Sequence, residues 1–246
     1  MEDPRASSLN VSQPALKVVD LKKSFDGRPV LKSISFEVYP GETLGIIGPS
    51  GCGKSTILKL VCGLIQPDGG QIIKASEEIG LVFQGSALLN SLSVRENLRL
   101  ALRNRRMSRR EQDEQIEKTL RLVGLGDHID HFPAELSGGQ QKRTSFARAV
   151  VYNPPIILYD EPTTGLDPVM STIIEDYMIE LEKELRAASI VVTHQLSTWT
   201  RTADRVIMMH AGRVVWEGKP SDAMASDNAF IHQFAHASRE GPMLQK

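Results

Sequence analysis

The chain is poor in cysteine, in aromatic residues and in long apolar runs. Its 246 residues include two cysteines, Cys52 and Cys62, and 5% are Phe, Trp or Tyr. Two cysteines fit neither a disulfide framework nor a metal site, and they indicate a reducing compartment. No apolar run approaches the roughly 20 residues that cross a bilayer, so any membrane role would require a partner. A formal net charge of −1 gives no general attraction for nucleic acid, and we expect none as a partner.

Strand-like segments occur on both sides of a charged helical stretch. Apolar and β-branched runs bounded by Gly or Pro predict strands at residues 17–21, 30–38, 43–47, 79–83, 156–159, 190–192, 206–209 and 213–216. The run at 43–47 is almost wholly apolar, which is typical of a strand covered on both faces. Strands that alternate with helices predict an α/β fold with a mostly parallel sheet.

The charged stretch is predicted to be an inserted helical subdomain at about residues 86–150. Within it, Ser108 followed by Glu111 predicts the capped start of a helix that ends near Val123. We expect a flexible leader at residues 1–14, a single domain at 15–226 that contains the insert, and a tail helix with an extension at 227–246.

Residues 48–56, GPSGCGKST, fit the pattern G-x-x-x-x-G-K-[ST] between a predicted strand and a predicted helix. Glycines let the backbone curve so that its N–H groups face phosphate oxygens, and the helix N-terminus adds a positive dipole end. Lys54 would place its charge on the β- and γ-phosphates, Ser55 would bind Mg²⁺, and Thr56 would donate to the α-phosphate. The pattern predicts a nucleotide site whose candidate residues are Gly48, Pro49, Ser50, Gly51, Cys52, Gly53, Lys54, Ser55 and Thr56.

The apolar strand predicted at residues 156–159 ends in two carboxylates, Asp160 and Glu161. The carboxyl end of a buried parallel strand lies at the sheet edge where α/β proteins bind ligands. Asp160 is the candidate for holding the water shell of Mg²⁺. Glu161 points the other way along the pleat and is the candidate general base for an attacking water. A solvated turn would also fit an isolated pair, and the phosphate loop in the same chain favours the catalytic interpretation.

Residues 136–140, LSGGQ, predict a second anion site, because a serine hydroxyl and glycine N–H groups lead into a predicted helix at 140–151. With this segment the chain resembles the ATP-binding cassette (ABC) family from Leu16 to about Gly218. The resemblance implies an ABC-type P-loop ATPase core with an antiparallel β-subdomain. It also implies a head-to-tail dimer of two copies enclosing two ATP molecules, in which ATP bound by one copy is contacted by the partner's signature residues. Those signature residues are Ser137, Gly138, Gly139 and Gln140.

Four further positions match motifs of the family. Gln84 matches the glutamine that senses Mg²⁺ and the attacking water, and Asp167 matches the residue that communicates across the dimer. His194 matches the histidine that contacts the γ-phosphate and steadies the catalytic glutamate. Phe25 occupies the position where the family stacks an aromatic ring on adenine, although a core phenylalanine would also fit the sequence. The resemblance therefore implies Glu161, His194 and Lys54 as catalytic residues and Ser55, Gln84 and Asp160 as metal-binding residues.

Two departures from the family pattern carry structural expectations. The chain between Gly70 and Ile79 is short, so the antiparallel excursion there is expected to be trimmed. Tyr159 places a hydroxyl in a buried strand, where it either finds a partner or lowers stability.

Two surface features leave alternatives open. Phe230, Ile231 and Phe234 form an apolar stripe at helical spacing, which would pack on its own domain or dock on the neighbouring subunit. A cluster of arginines in the insert would form a solvated helix face or bind anionic headgroups or a permease. The cluster consists of Arg103, Arg105, Arg106, Arg109 and Arg110.

Finer segments resemble the ABC ATPases of the Mla/Mce lipid-transport group, at residues 83–89, 160–168, 193–198 and 230–242. This implies an integral-membrane permease, an MCE-domain lipid-binding protein, a lipid cargo, and a place on the cytoplasmic face of the inner (plasma) membrane. Importers of amino acids or other small solutes share several of these segments and are the alternative. An ABC ATPase of DNA repair or translation would carry duplicated cassettes, coiled-coil insertions or zinc modules, and a P-loop kinase would lack LSGGQ.

Overall fold

The computed structural model of the protein describes residues 13–83 and 85–244, so most of the predicted leader lies outside it. The strands in these ranges are β1 (Leu16–Phe25), β2 (Arg28–Val38), β3 (Thr43–Ile47), β4 (Gly69–Lys74), β5 (Ile79–Val82), β6 (Ile156–Asp160), β7 (Ala188–Val192), β8 (Arg205–His210) and β9 (Arg213–Gly218). The helices are α1 (Lys54–Val61), α2 (Val94–Leu102), α3 (Arg109–Leu122), α4 (Gly138–Val150), α5 (Pro168–Leu185), α6 (Leu196–Thr202), α7 (Pro220–Ala223) and α8 (Ala229–Ala235). None of the helices in this part of the chain is both long and apolar enough to cross a membrane.

The larger sheet has six strands in the order β5-β6-β7-β3-β8-β9. Neighbouring strands in this sheet are parallel, except that β8 and β9 are antiparallel. All five residues of β3 and all five of β7 are buried, as expected for central strands covered on both faces. The predicted α/β fold class is confirmed.

The smaller sheet is antiparallel, with the order β2-β1-β4. We expected a trimmed antiparallel excursion between Gly70 and Ile79. The structure has a six-residue strand in this region, β4, which pairs with β1 and was absent from the predicted strands. The pairing depends on a close approach at Gly70, whose φ is +83°. A methyl group there would lie 2.4 Å from the carbonyl oxygen of Asp20. The strand was missed because its two glycines weaken the alternating apolar pattern.

Helices α2, α3 and α4 share a hydrophobic core of their own, which includes Leu98, Leu120 and Ala147. Helix α3 begins at the capping box of Ser108, as its sequence predicts. Helix α4 also places Phe146 in the core beneath the large sheet. Because α4 contributes to both cores, it connects the inserted helices mechanically to the sheet.

Tyr159 is almost completely buried in β6, and its ring stacks on Phe146 with the centroids 5.3 Å apart. Burial raises the pKa of its hydroxyl well above the ordinary value. The stacking offsets part of the penalty for a buried hydroxyl, since such aromatic pairs contribute about 1 kcal/mol beyond their buried area.

The tail helix α8 packs on its own domain. Ile231 is fully buried in a cluster with Trp199 and Met208, and Phe230 and Phe234 lie partly buried against the same cluster. Of the two alternatives left open by the sequence, the structure therefore places this stripe within the chain.

The arginine cluster divides into one anchored and four exposed side chains. Arg105 pairs with Glu78, and its guanidinium lies 4.8 Å from the ring centroid of Tyr152. The exposed members are Arg103, Arg106, Arg109 and Arg110. Their exposure fits both a solvated face and a surface that binds anionic headgroups or a permease, so both alternatives stay predictions.

Candidate nucleotide site

Three adjacent strands deliver the predicted functional residues to one edge of the large sheet. In the order β6-β7-β3 they run parallel. Asp160 is the last residue of β6, His194 follows β7, and the phosphate loop follows β3. Since the carboxyl ends of parallel strands meet at one edge, segments far apart in sequence converge there.

The phosphate loop has a backbone that only glycine accommodates at key points. Gly48 has a φ of +142°, and a methyl group on it would lie 2.2 Å from the carbonyl oxygen of Met209. Gly53 has a φ of +107°, and a methyl group there would lie 2.6 Å from a side-chain carbon of Leu31. The loop is thus clamped between β8 and β2 and curves tightly into α1.

Lys54 is nearly buried, and its ammonium lies against the loop that precedes it. Its Nζ donates to the carbonyl oxygens of Gly48 at 2.8 Å and Pro49 at 3.1 Å. Gly48 and Pro49 therefore hold the lysine rather than line the cleft. Cys52 is also buried, and burial raises the pKa of its thiol.

Ser55 and Asp160 form the part of the site that fits a divalent cation. The Ser55 hydroxyl donates to Asp160 Oδ1 at 2.9 Å. Burial raises the pKa of the Asp160 carboxyl, and the hydrogen bond from Ser55 partly opposes that shift. A cation would supply the positive charge that this half-buried carboxylate needs, and hydroxyl and carboxylate oxygens are ligands that Mg²⁺ accepts. Gln84, the third predicted metal-binding residue, lies outside the described residues.

Glu161 and His194 are in direct contact. His194 Nδ1 lies 2.8 Å from Glu161 Oε1. Glu161 is nearly buried and has a φ of +50°, which is uncommon for a non-glycine residue. The structure brings together the predicted base and the histidine predicted to steady it, and their catalytic roles stay predictions.

An open cleft of about 450 Å³ joins these parts. Its lining consists of Phe25, Val30, Ser50, Gly51, Gly53, Lys54, Ser55, Thr56, Glu161 and His194. Phe25 is 43% exposed and is therefore not the core residue that the sequence also allowed. Its ring is available for stacking beside the phosphate loop, with the Lys23 ammonium 5.5 Å from its centroid.

The LSGGQ segment begins α4 with a capping box. Ser137 Oγ accepts from the Gln140 N–H at 3.3 Å, and Gln140 Oε1 accepts from the Ser137 N–H at 2.8 Å. Ser137 and Gly138 are exposed, and a methyl group on Gly138 would meet no atom within 4 Å. Among the described residues, none of Ser137, Gly138, Gly139 and Gln140 lines the phosphate-loop cleft of the same chain.

Asp167 is exposed and caps α5. Its Oδ1 accepts from the N–H groups of Val169 and Met170, both at 3.0 Å. The capping fixes the end of the turn that starts at Glu161. The predicted part of Asp167 in communication between two copies stays a prediction.

Sequence reasoning missed two residues that hold this turn. Thr164 Oγ1 donates to Glu161 Oε2 at 3.2 Å. Lys142 Nζ donates to the carbonyl oxygen of Pro162 at 3.4 Å and to that of Thr164, and burial lowers the pKa of this ammonium. Since Lys142 lies on α4, it ties the helix that begins at LSGGQ to the turn that carries Glu161. The only sequence signal was a lysine shortly after the motif.

A family model described as ABC transporter matches residues 31–164, which include the phosphate loop, LSGGQ and the acidic pair. The chain belongs to the ABC transporter family. Membership of this family makes the chain an ATP-binding ATPase.

Curated relatives include a chloroplast protein and several import ATP-binding proteins. The chain is 40% identical over 95% of its length to Protein TRIGALACTOSYLDIACYLGLYCEROL 3, chloroplastic, of Arabidopsis thaliana, and it spans 77% of that protein. It is 36% identical over 89% of its length to the spermidine/putrescine import ATP-binding protein PotA of Fusobacterium nucleatum, and it spans 61% of that protein.

Solved structures of the family share the fold. CbiO1 from Clostridium perfringens, part of the ABC transporter complex cbiONQ, superposes with a TM-score of 0.80 and 30% identity, covering 87% of this chain and 92% of that one. The ATP-binding cassette MJ0796, solved as a dimer in a post-hydrolysis state with ADP and Pi, gives a TM-score of 0.74 and 31% identity, covering 83% of this chain and 98% of that one.

Proposed function

We propose that two copies of the chain pair head to tail, hydrolyse two ATP molecules with Mg²⁺, and drive a transporter by docking on an integral-membrane permease. The observation that supports the pairing is the separation of two anion-binding segments. The phosphate loop lines the cleft with Glu161, whereas Ser137 and Gly138 are exposed elsewhere on the chain. An exposed glycine that its own chain does not require suits the close approach of a ligand held by a second copy.

The proposed reaction is attack of water on the γ-phosphorus of ATP, which breaks its bond to the β-phosphate oxygen and releases ADP and phosphate, with the chain supplying position and charge. The N–H groups of the glycine loop and the Lys54 ammonium bind the phosphates, and Phe25 stacks on the base. Ser55 and Asp160 would hold Mg²⁺, which would supply positive charge to offset the negative charge of the phosphates. Gln84 is proposed to join this metal set.

Glu161 is proposed to take the proton of the attacking water at its carboxylate. The contact at Oε1 with His194 and the contact at Oε2 with Thr164 fix the carboxylate plane. His194 is half exposed at the cleft, so its second ring nitrogen is free to contact the γ-phosphate. Fixed geometry of this kind contributes to rate because the groups need no reorganisation during the reaction.

The cargo is proposed to be lipid moved between membranes with an MCE-domain protein. The name of the Arabidopsis relative is that of a galactolipid, and this relative shares 40% identity with the chain. The chain segments that resemble the Mla/Mce group support the same cargo. The MCE partner and a site at the cytoplasmic face of the inner membrane rest on that resemblance alone.

The second candidate is the ATPase of an importer for amino acids or other small solutes. PotA of Fusobacterium nucleatum, at 36% identity, and methionine and glycerol-3-phosphate import ATP-binding proteins, at 34–36%, favour it. The two candidates share their ATP chemistry and differ in partner and cargo.

Purification of the full chain with its partners from native membranes distinguishes the two candidates. We expect a multi-span permease, an MCE-domain protein and bound phospholipid in the complex, measured by mass spectrometry of protein and lipid. An amino-acid or polyamine permease with a solute-binding protein, and no enriched lipid, would contradict the lipid assignment and favour the importer.

A further inference from the structure

Glu161 adopts a conformation that must be held in place. A non-glycine residue at a φ of +50° is strained by roughly 1 kcal/mol or more, and such strain persists only where the surroundings over-determine it. The Glu161 N–H donates to the carbonyl oxygen of Val192 at 2.8 Å, which pairs the turn after β6 with the end of β7. The backbone contact sets the position of the turn but leaves the next residues to be fixed by other groups.

Beneath the Glu161–His194 contact, the two turns are joined by buried side chains. Thr163, two residues after Glu161, and Thr198, on α6, are both fully buried. Their hydroxyl oxygens lie 2.9 Å apart. Thr163 Oγ1 also donates at 2.8 Å to the side-chain carbonyl oxygen of Gln195, the residue that follows His194.

This series of hydrogen-bonded side chains ends at a buried carboxylate, that of Glu175 on α5, which is 1% exposed. Thr198 Oγ1 donates to Glu175 Oε1 at 2.8 Å, and Arg201 Nε lies 2.8 Å from Glu175 Oε2. Both carboxylate oxygens are thus satisfied, as a buried charge requires.

The number of available protons determines which group donates in each of these hydrogen bonds. The single proton of Thr198 goes to Glu175, so the Thr198 oxygen accepts from Thr163. The same Thr163 proton also faces Gln195 Oε1 at 2.8 Å, so it is shared between the Thr198 oxygen and the side-chain carbonyl oxygen of Gln195. Glu175 is a carboxylate that only accepts, so it fixes the direction of the Thr198 hydroxyl, and Thr163 is then the donor to both of its neighbours.

We propose that Glu175 is a positioning residue for ATP hydrolysis, acting through Thr198 and Thr163 to keep Glu161 and His194 in contact. The inference rests on the proposed role of Glu161 as general base. Thr163 and Gln195 belong to the two turns that carry the pair, whereas Glu175 and Thr198 belong to helices behind them. Loss of the hydroxyl of Thr163 or Thr198 would break this series of hydrogen bonds. The two turns could then move relative to each other, although no group would be removed from the cleft.

The test compares Thr198→Val, Thr198→Ser and Thr202→Val in the full chain. Thr202 is the matched control, because it is a buried threonine on the same helix whose hydroxyl donates at 2.7 Å to a backbone carbonyl oxygen, that of Thr198, and not to a side chain of the series. We expect Thr198→Val to lower kcat by about ten-fold or more, with ATP affinity within about two-fold of the parent. Thr198→Ser and Thr202→Val should stay within about two-fold of the parent in both quantities.

A second pair of variants guards against a simple loss of folding. Thr163→Val should reproduce the loss in kcat. The Thr163→Val, Thr198→Val double variant should lose no more kcat than the worse single variant, because both substitutions break the same series of hydrogen bonds. Parent-like kcat in Thr198→Val, or equal losses in Thr198→Val and Thr202→Val that follow their melting temperatures, would overturn the positioning role. Glu161→Gln in the same assay tests the general-base assignment separately from the positioning role. If this variant turns over ATP at the parent rate, the base assignment itself fails.

Discussion

Glu161→Gln is expected to abolish ATP turnover while ATP stays bound in a stable dimer. The amide keeps the size of the carboxylate and can still bond to His194, but it cannot take a proton from water. Loss of a general base lowers rates by roughly 10²–10⁴-fold, so we expect turnover to fall by at least about a hundred-fold. The measurements are phosphate release at saturating ATP and Mg²⁺, and the oligomeric state with and without ATP.

The matched control is Glu180→Gln, which removes the same charge from an exposed position on α5. It should keep the parent rate and release its nucleotide normally. A Glu161→Gln chain that hydrolyses ATP as fast as the parent would show that Glu161 is not the base. A chain that loses ATP binding as well would show that the substitution damages the cleft.

Ser137→Arg is expected to abolish ATP hydrolysis while a single chain still binds ATP. The bulky side chain would occupy the exposed face of LSGGQ, and this segment does not line the cleft of its own chain. Only the site completed by a second copy would be blocked. We expect a loss of turnover of at least about a hundred-fold, as is typical when a group that stabilises transition-state charge is removed. The single-chain nucleotide Kd should be nearly unchanged.

Ser137 also caps α4, and replacement of a capping serine costs about 1 kcal/mol of stability. Ser108→Arg controls for this effect, because Ser108 caps α3 with the same capping box and is exposed. It should lower the melting temperature to a similar extent and keep ATP turnover. If Ser137→Arg weakens ATP binding by a single chain, the two anion-binding segments are not separate.

The parts of the site that the sequence predicted are contiguous motifs. The phosphate loop and the acidic pair each follow an apolar strand, so their local pattern already implies the sheet edge where they lie. His194 was placed by its family motif, and its contact with Glu161 follows from the pairing of β6 with β7.

The parts that the sequence did not predict depend on contacts between distant segments. Lys142 and Thr198 lie on different helices and contact the turn after Glu161, and Glu175, on a third helix, contacts Thr198. Nothing in the neighbouring sequence signals these contacts. Strand β4 was missed for a related reason, since its pairing depends on the close approach of Gly70 to β1 rather than on an apolar pattern. Tertiary packing determines such features, and no local pattern in a single sequence predicts them.

The most direct test of a site shared between two copies is a mixture of two inactive variants. Lys54→Ala removes the phosphate-loop charge and leaves LSGGQ intact, whereas Ser137→Arg does the reverse. In a head-to-tail dimer, one copy of each variant assembles one complete site. An equal mixture should recover ATP hydrolysis to about a quarter of the parent rate if pairing is random and the sites act independently, since half the dimers would be mixed and half their sites intact. A mixture no more active than the separate variants, or full activity of Ser137→Arg alone, would contradict the shared site.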